Sequence, residues 1–96
     1  MSNTGEHIAE IVCATAGRDK GKYFIVTAKE DNYVYLCNGK CRKVGSPKKK
    51  KVRHVVFTGE INEFILNRLT TIGKVTNKEV RYALSDYEKR LSQHNI

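Results

Sequence analysis

The chain has 96 residues, with 18 Lys and Arg against 10 Asp and Glu, and a formal net charge of +8. That length sets one small domain, or one with an appendage, and excludes a large multi-domain enzyme. A field of this sign favours polyanions such as RNA, DNA or anionic lipid, and charge by itself does not choose among them.

From the N-terminus, residues 1–7 carry no basic region leading into an apolar run, and no stretch approaches the length of a membrane span. A cytoplasmic chain is therefore expected. Cys13, Cys37 and Cys41 are an odd number of cysteines, which fits free thiols in a reducing compartment better than a disulfide framework.

Short runs rich in Val, Ile, Tyr, Phe and Thr follow at 8–15, 22–29, 33–37, 40–44 and 52–57. Five such strands at close spacing predict a small barrel wound as an antiparallel meander. The first break is supplied by Gly17, Asp19 and Gly21, the second by Glu30-Asp31-Asn32, and the third by Asn38-Gly39, a two-residue hairpin signal. Gly45-Ser46-Pro47 then opens into Lys48-Lys49-Lys50-Lys51, where self-repulsion and the lone proline predict an exposed basic loop.

After Gly59 the period changes. Ile61, Phe64, Ile65 and Leu69 recur at helical spacing, with Gly73 as the stop. Thr76 and Glu79 form a capping-box pattern, and Val80, Ala83, Leu84, Tyr87 and Leu91 line one side of a second helix ending near Ser92. The expected architecture is mainly β with α: a five-stranded barrel over 1–58 and a helical extension over 59–96 packed on it. Residues 1–58 hold 12 basic and 5 acidic side chains, net +7, and residues 59–96 hold 6 and 5, net +1, so the positive field belongs to the first unit.

The segment Ile11-Val12-Cys13-Ala14-Thr15-Ala16-Gly17-Arg18-Asp19-Lys20-Gly21-Lys22-Tyr23-Phe24-Ile25-Val26 resembles a KOW motif, a strand, a Gly-x-x-Lys-Gly turn and a second strand. Gly21 stands where that motif has its hallmark glycine. Glycine at both ends of a charged tip tolerates positive φ and leaves room for another backbone. With Tyr33-Val34-Tyr35-Leu36-Cys37-Asn38-Gly39 and the basic run ending at Arg53-His54, residues 8–58 resemble the KOW-containing large-subunit ribosomal protein families, the L14e-like group above all. The resemblance implies an SH3-like barrel that binds RNA, usually ribosomal RNA on the ribosome in translation, with no catalysis and no cofactor. It does not extend over 59–96.

Two strips of cations are the candidate RNA contacts. Arg18, Lys20 and Lys22 alternate along the first turn, the alternative being ordinary charge on a solvated turn. Arg42, Lys43, Lys48, Lys49, Lys50, Lys51 and Arg53 put seven cations within twelve residues, with His54 at their end, the alternative being a solubilising loop. Tyr23, close to the charged tip, is the expected base-stacking tyrosine, whereas Tyr33 and Tyr35 share one strand face and are expected to pack. Gly17 and Gly21 are structural.

Cys37 and Cys41, even with Cys13 and His54, make a poor zinc set, because the pair straddles a tight hairpin and no second pair exists. His7, His54 and His94 match no nucleophile and carboxylate pattern, so no enzyme is expected. Arg81, Asp86, Glu88, Lys89 and Arg90 alternate in sign, the mark of a solvated helix face. The rival function is a protein-interaction module whose barrel or helices bind a transcription or translation factor.

Overall fold

Apolar β-formers between residues 8 and 37 leave little choice of local structure, and the computed structural model, which describes residues 6–93, builds three successive antiparallel strands from them. These are β1 (Glu10–Ala14), β2 (Tyr23–Glu30) and β3 (Tyr33–Cys37). Then follow β4 (Lys48–Lys51), a 3-10 turn (Val52–His54), β5 (Val55–Ile61), α1 (Glu63–Thr71) and α2 (Asn77–Gln93). His94 and the outermost residues of the two expected units lie outside the described residues.

The strands form one antiparallel sheet in the order β4-β3-β2-β1-β5, so β5 returns past the meander to pair with β1. The sheet does not close on itself: β4 and β5 are its edges. Three expectations are corrected. Residues 40–44 are not a strand, because Asn38 and Gly39 do not turn a hairpin but begin a connection that runs to β4. The backbone N–H groups of Asn38 and Gly39 both donate to Arg42 O, which closes a local loop. The fourth strand is the lysine run itself, expected as a loop. The fifth strand begins only at Val55, after a 3-10 turn at the expected start, and runs on to Ile61, which pairs with Glu10 instead of opening the first helix.

Cross-strand neighbours share a face, so Cys13 stands with Tyr23, and Ile11 with Ile25 and Cys37. Val12, Phe24, Val26 and Leu36 point the other way. Ile11, Val12, Phe24, Ile25, Val26, Leu36 and Cys37 are all essentially inaccessible, so both faces of the sheet centre are covered. Burial without compensation disfavours the thiolate, and the Cys37 thiol is pushed up to about 12. Ile65, Leu69, Val80, Ala83 and Leu84 from the helices belong to the same continuous core.

The helices begin where their caps dictate. Asn62 Oδ1 accepts from Ile65 N at 2.9 Å to start α1, and Gly73, at φ 78°, closes it with its N–H on Arg68 O. Thr76 and Glu79 make the expected reciprocal capping box, Thr76 N to Glu79 Oε1 at 2.9 Å and Glu79 N to Thr76 Oγ1 at 3.1 Å. Arg68 joins α1 to α2 through Glu79, and Arg90 joins α2 to β5 through Glu60. Asp86 and Arg90 form the i, i+4 pair that alternating signs predict. Among the described residues no helix is long and apolar enough to cross a membrane.

A buried carboxylate fixes the irregularity in β5. Glu10 accepts from Gly59 N at 2.7 Å, and its other oxygen lies 2.7 Å from His7 Nδ1. The register slips between Glu10 and Val12 where Gly59 adopts φ 85°, so the bulge and its glycine are held by a charge inside the fold.

Gly39 and Gly21 both sit at positive φ, but a Cβ at Gly39 would meet Asn77 O at 2.4 Å and Arg81 Cγ at 2.8 Å, whereas one at Gly21 meets nothing within 4 Å. Gly39→Ala is expected to lower stability by roughly 2–5 kcal/mol, strain and clash together, and Gly21→Ala by about 1–2 kcal/mol from strain alone. Urea unfolding midpoints at unchanged slope measure the difference. The Glu60 carboxyl is held low chiefly by its hydrogen bond from Arg90, and that of Glu79 chiefly by the Thr76 N–H. Their stabilisation is therefore complete above the ordinary carboxylate range and is lost as pH falls below it. In acid titrations followed by circular dichroism, Glu60→Gln with Glu79→Gln is expected to flatten the acid limb.

Candidate nucleic-acid interface

The loop between β1 and β2 is built by its own backbone. Gly21 N donates to Ala14 O at 2.8 Å, Ala14 N to Lys22 O at 3.0 Å and Lys20 N to Gly17 O at 3.2 Å, with Gly17 and Gly21 at φ 78° and 87°. Arg18, Lys20 and Lys22 are all exposed on this ordered tip. Asp19 faces the other way and is 4% exposed. Both Arg42 Nε, at 3.2 Å, and Arg42 Nη2, at 2.9 Å, donate to its Oδ2.

That ion pair takes Arg42 out of the set of free cations. A guanidinium spending two donors on a buried carboxylate has its charge answered within the protein. Arg42 instead clamps the 38–47 connection against the β1–β2 loop, and Lys43 stays exposed on that connection. His54 is also used internally at its backbone, where its carbonyl accepts from Thr15 N at 2.9 Å.

Residues of β4 alternate between the two sides of the sheet. Lys49 pairs with Tyr35 and Lys51 with Tyr33, so these two ammonium groups share a face with the two tyrosines. Lys48 and Lys50 pair with Leu36 and Val34 and project to the opposite face. There Lys50 Nζ reaches the β1–β2 loop, 3.4 Å from where a Cβ at Gly17 would stand. The edge strand thus supplies cations to two surfaces, one with Arg18 and Lys20 in the neighbouring loop and one with Tyr33 and Tyr35.

Tyr23, Tyr33 and Tyr35 are all half-buried. Tyr23 packs edge-on against Tyr87 of α2, centroids 5.4 Å apart, and its hydroxyl is pushed up by burial first and then by Cys13, Tyr87 and Glu88. It belongs to the seam between helix and sheet. Tyr33 and Tyr35 are half-buried on the open end of that face, with Lys49 Nζ 4.5 Å from the first ring centroid and 5.9 Å from the second. Tyr35 is anchored by its hydroxyl, which donates to Glu30 Oε1 at 2.9 Å.

Sequence reasoning also missed a cleft of about 410 Å³ lined by Asn32, Tyr33, Lys51, Val52 and Arg53, at the bend where β4 gives way to the 3-10 turn. Strict alternation imposed on the lysine run would have placed Lys51 beside Tyr33. Lys40 and Arg81 were missed as well. They line a broader cleft of about 760 Å³ with Lys22, Cys41 and Glu88, where Lys22 Nζ lies 4.0 Å and Asn38 Nδ2 3.5 Å from the exposed Cys41 thiol. Among the described residues no group of three or more His, Cys, Asp or Glu side chains is placed to hold a metal ion.

Arg42→Ala leaves the Asp19 carboxylate buried without its partner, and is expected to lower stability by about 2–3 kcal/mol in urea unfolding. Arg53→Ala, which removes an exposed cation, is expected to change it by less than about 0.5 kcal/mol.

No family model and no curated protein matches this chain.

Proposed function

We propose that this chain is an RNA-binding protein without chemistry of its own, docking on structured RNA, ribosomal RNA on the ribosome above all, through the cations of β4 and the β1–β2 turn. The observation that carries the reading is the strand of four lysines on a sheet edge. Exposed lysines on an edge are also a means of blocking edge-to-edge pairing, and one or two suffice for that. Four in succession put two cations on each face, with Lys50 reaching the β1–β2 loop at Gly17 on one and Lys49 over half-buried aromatic rings on the other. Fixed cations along two sides of a rim suit a phosphate backbone, which positions a protein by shape and charge more than by base identity.

The reading extends to the fold. Both faces of the sheet centre are covered, β5 returns to β1 across the meander, and a 3-10 turn links β4 to β5. These features support a partly open SH3-like barrel of the KOW kind, with the helices as a packed extension, and the three free cysteines support a place in the reducing cytoplasm. The binding set is then Arg18, Lys20, Lys22, Lys43, Lys48, Lys49, Lys50, Lys51, Arg53 and His54, with Arg42 and Tyr23 taken as packing residues.

One observation favours the second reading, a translation or transcription factor as protein partner. Phe64 and Tyr82 are 54% and 76% exposed around an apolar cleft of about 460 Å³ between α1 and α2. A purified chain that ignores ribosomal RNA at low salt, yet retains a protein after nuclease treatment, would select it.

For the RNA reading, replacing Lys48, Lys49, Lys50 and Lys51 by Ala is expected to weaken binding to a ribosomal RNA fragment at least about ten-fold at low salt. The slope of log affinity against log salt should shrink by roughly 0.7–0.9 for each phosphate that is no longer neutralised. Fluorescence anisotropy over a salt series reads both, and unchanged affinity in a folded variant removes the assignment.

A further inference from the structure

We infer that the cleft of Asn32, Tyr33, Lys51, Val52 and Arg53 holds a single unpaired nucleotide of the bound RNA, its base against Tyr33 and its phosphate between Lys51 and Arg53. The inference rests on the RNA-binding reading and adds to it the class of RNA recognised, one with a bulged or looped-out base.

The cleft, about 410 Å³, is within the range that small organic ligands occupy. Its walls combine the groups a nucleotide needs. Tyr33 offers an aromatic surface, Val52 an apolar side, and Asn32 an exposed amide able both to donate to and to accept from a base edge. Lys51 and Arg53 are exposed cations flanking Val52, and none of the ion pairs among the described residues uses either of them.

The geometry is also fixed before any ligand arrives. Lys51 is directly opposite Tyr33 in the β3–β4 register, and Val52 N donates to Asn32 O at 2.7 Å, which ties the two sides of the cleft together. Lys49, whose ammonium lies 4.5 Å from the Tyr33 ring centroid, does not line the cleft, whereas Tyr33 does. A base in a duplex presents only its edges and cannot stack on a side chain, so the ring would be idle on fully paired RNA. Stacking of this kind tolerates any base, which leaves the Asn32 amide as the only group in the cleft suited to discriminate.

The chain contains no tryptophan, so Tyr33→Trp in the full-length protein gives a fluorophore reporting this cleft alone. Three probes are compared: an RNA hairpin with one bulged uridine, the same hairpin without the bulge, and uridine monophosphate. Anisotropy of the labelled hairpins reports binding independently of stacking. The expected result is binding of both hairpins, with tryptophan quenching by the bulged one only. Tyr33→Leu, checked for folding by circular dichroism, should weaken the bulged hairpin by roughly 5- to 150-fold and the unbulged one by less than about two-fold.

Equal quenching by both hairpins, or binding of the bulged hairpin without quenching, overturns the nucleotide site and leaves the RNA-binding reading standing. Uridine monophosphate binding as tightly as the bulged hairpin overturns it in favour of a free-nucleotide site. Failure of both hairpins to bind at low salt overturns both readings together.

Discussion

An edge strand made entirely of lysine must be held by its backbone, and that constraint organises the rest of this molecule. Four like charges in succession repel, and side chains of this type gain little from burial. Pairing with β3 resolves the conflict by sending successive ammonium groups to opposite faces, which separates nearest neighbours while the main chain gains its hydrogen bonds. Both ends of β4 are then fixed by parts that carry no lysine of the run. Asn32 O accepts from Val52 N at one end, and at the other the 38–47 connection is clamped by Arg42 on the buried Asp19.

The same clamp decides which cations remain for a partner. Arg42 opens the most basic stretch of the chain, yet its charge is answered by Asp19, while its neighbour Lys43 is exposed. Position in a charge run is therefore a poor guide to availability. Arg81 makes the converse case: it sits on a helix face of alternating sign, donates to Gly39 O at 2.9 Å and holds the connection against α2. Two arginines thus serve the fold by holding the first part of one irregular segment, Arg81 at Gly39 and Arg42 through Asp19.

Elements whose signals are local were legible in the sequence. The Thr76–Glu79 capping box and the 3.6-residue period gave α2 almost to the residue, the same period with Gly73 gave α1 except at its start, where Ile61 belongs to β5, and alternating Tyr33 and Tyr35 with Val34 and Leu36 between them gave β3. What was not legible depends on distant partners. Asn38-Gly39 carries a hairpin signal, but Gly39 is required because the N-terminal turn of α2 packs on it, a contact between residues about forty positions apart. Intrinsic preference read Lys48–Lys51 as a loop, and pairing with β3 overrode it. Proximity to a charged turn favoured Tyr23 for stacking, and its packing on Tyr87 depends on the placement of α2, a partner distant in sequence.

That last contact follows from how one sheet face is shared. Cys13, Tyr23, Ile25, Cys37, Tyr35 and Tyr33 all lie on it, running from β1 toward the β4 edge. Alpha2 meets it at Tyr23, through Tyr87, and the far strip beside β4 remains uncovered. Had the helix spanned the whole face, Lys49 and Lys51 would have been buried beneath it at a desolvation cost no core contact offsets. The lysines of β4 therefore set the limit of the helical layer, and that limit keeps the two tyrosines beside them accessible. Charge on the edge strand, the extent of the helical cover and the exposure of the aromatic strip are three consequences of one sequence choice, and a substitution that made β4 apolar would be expected to alter all three together.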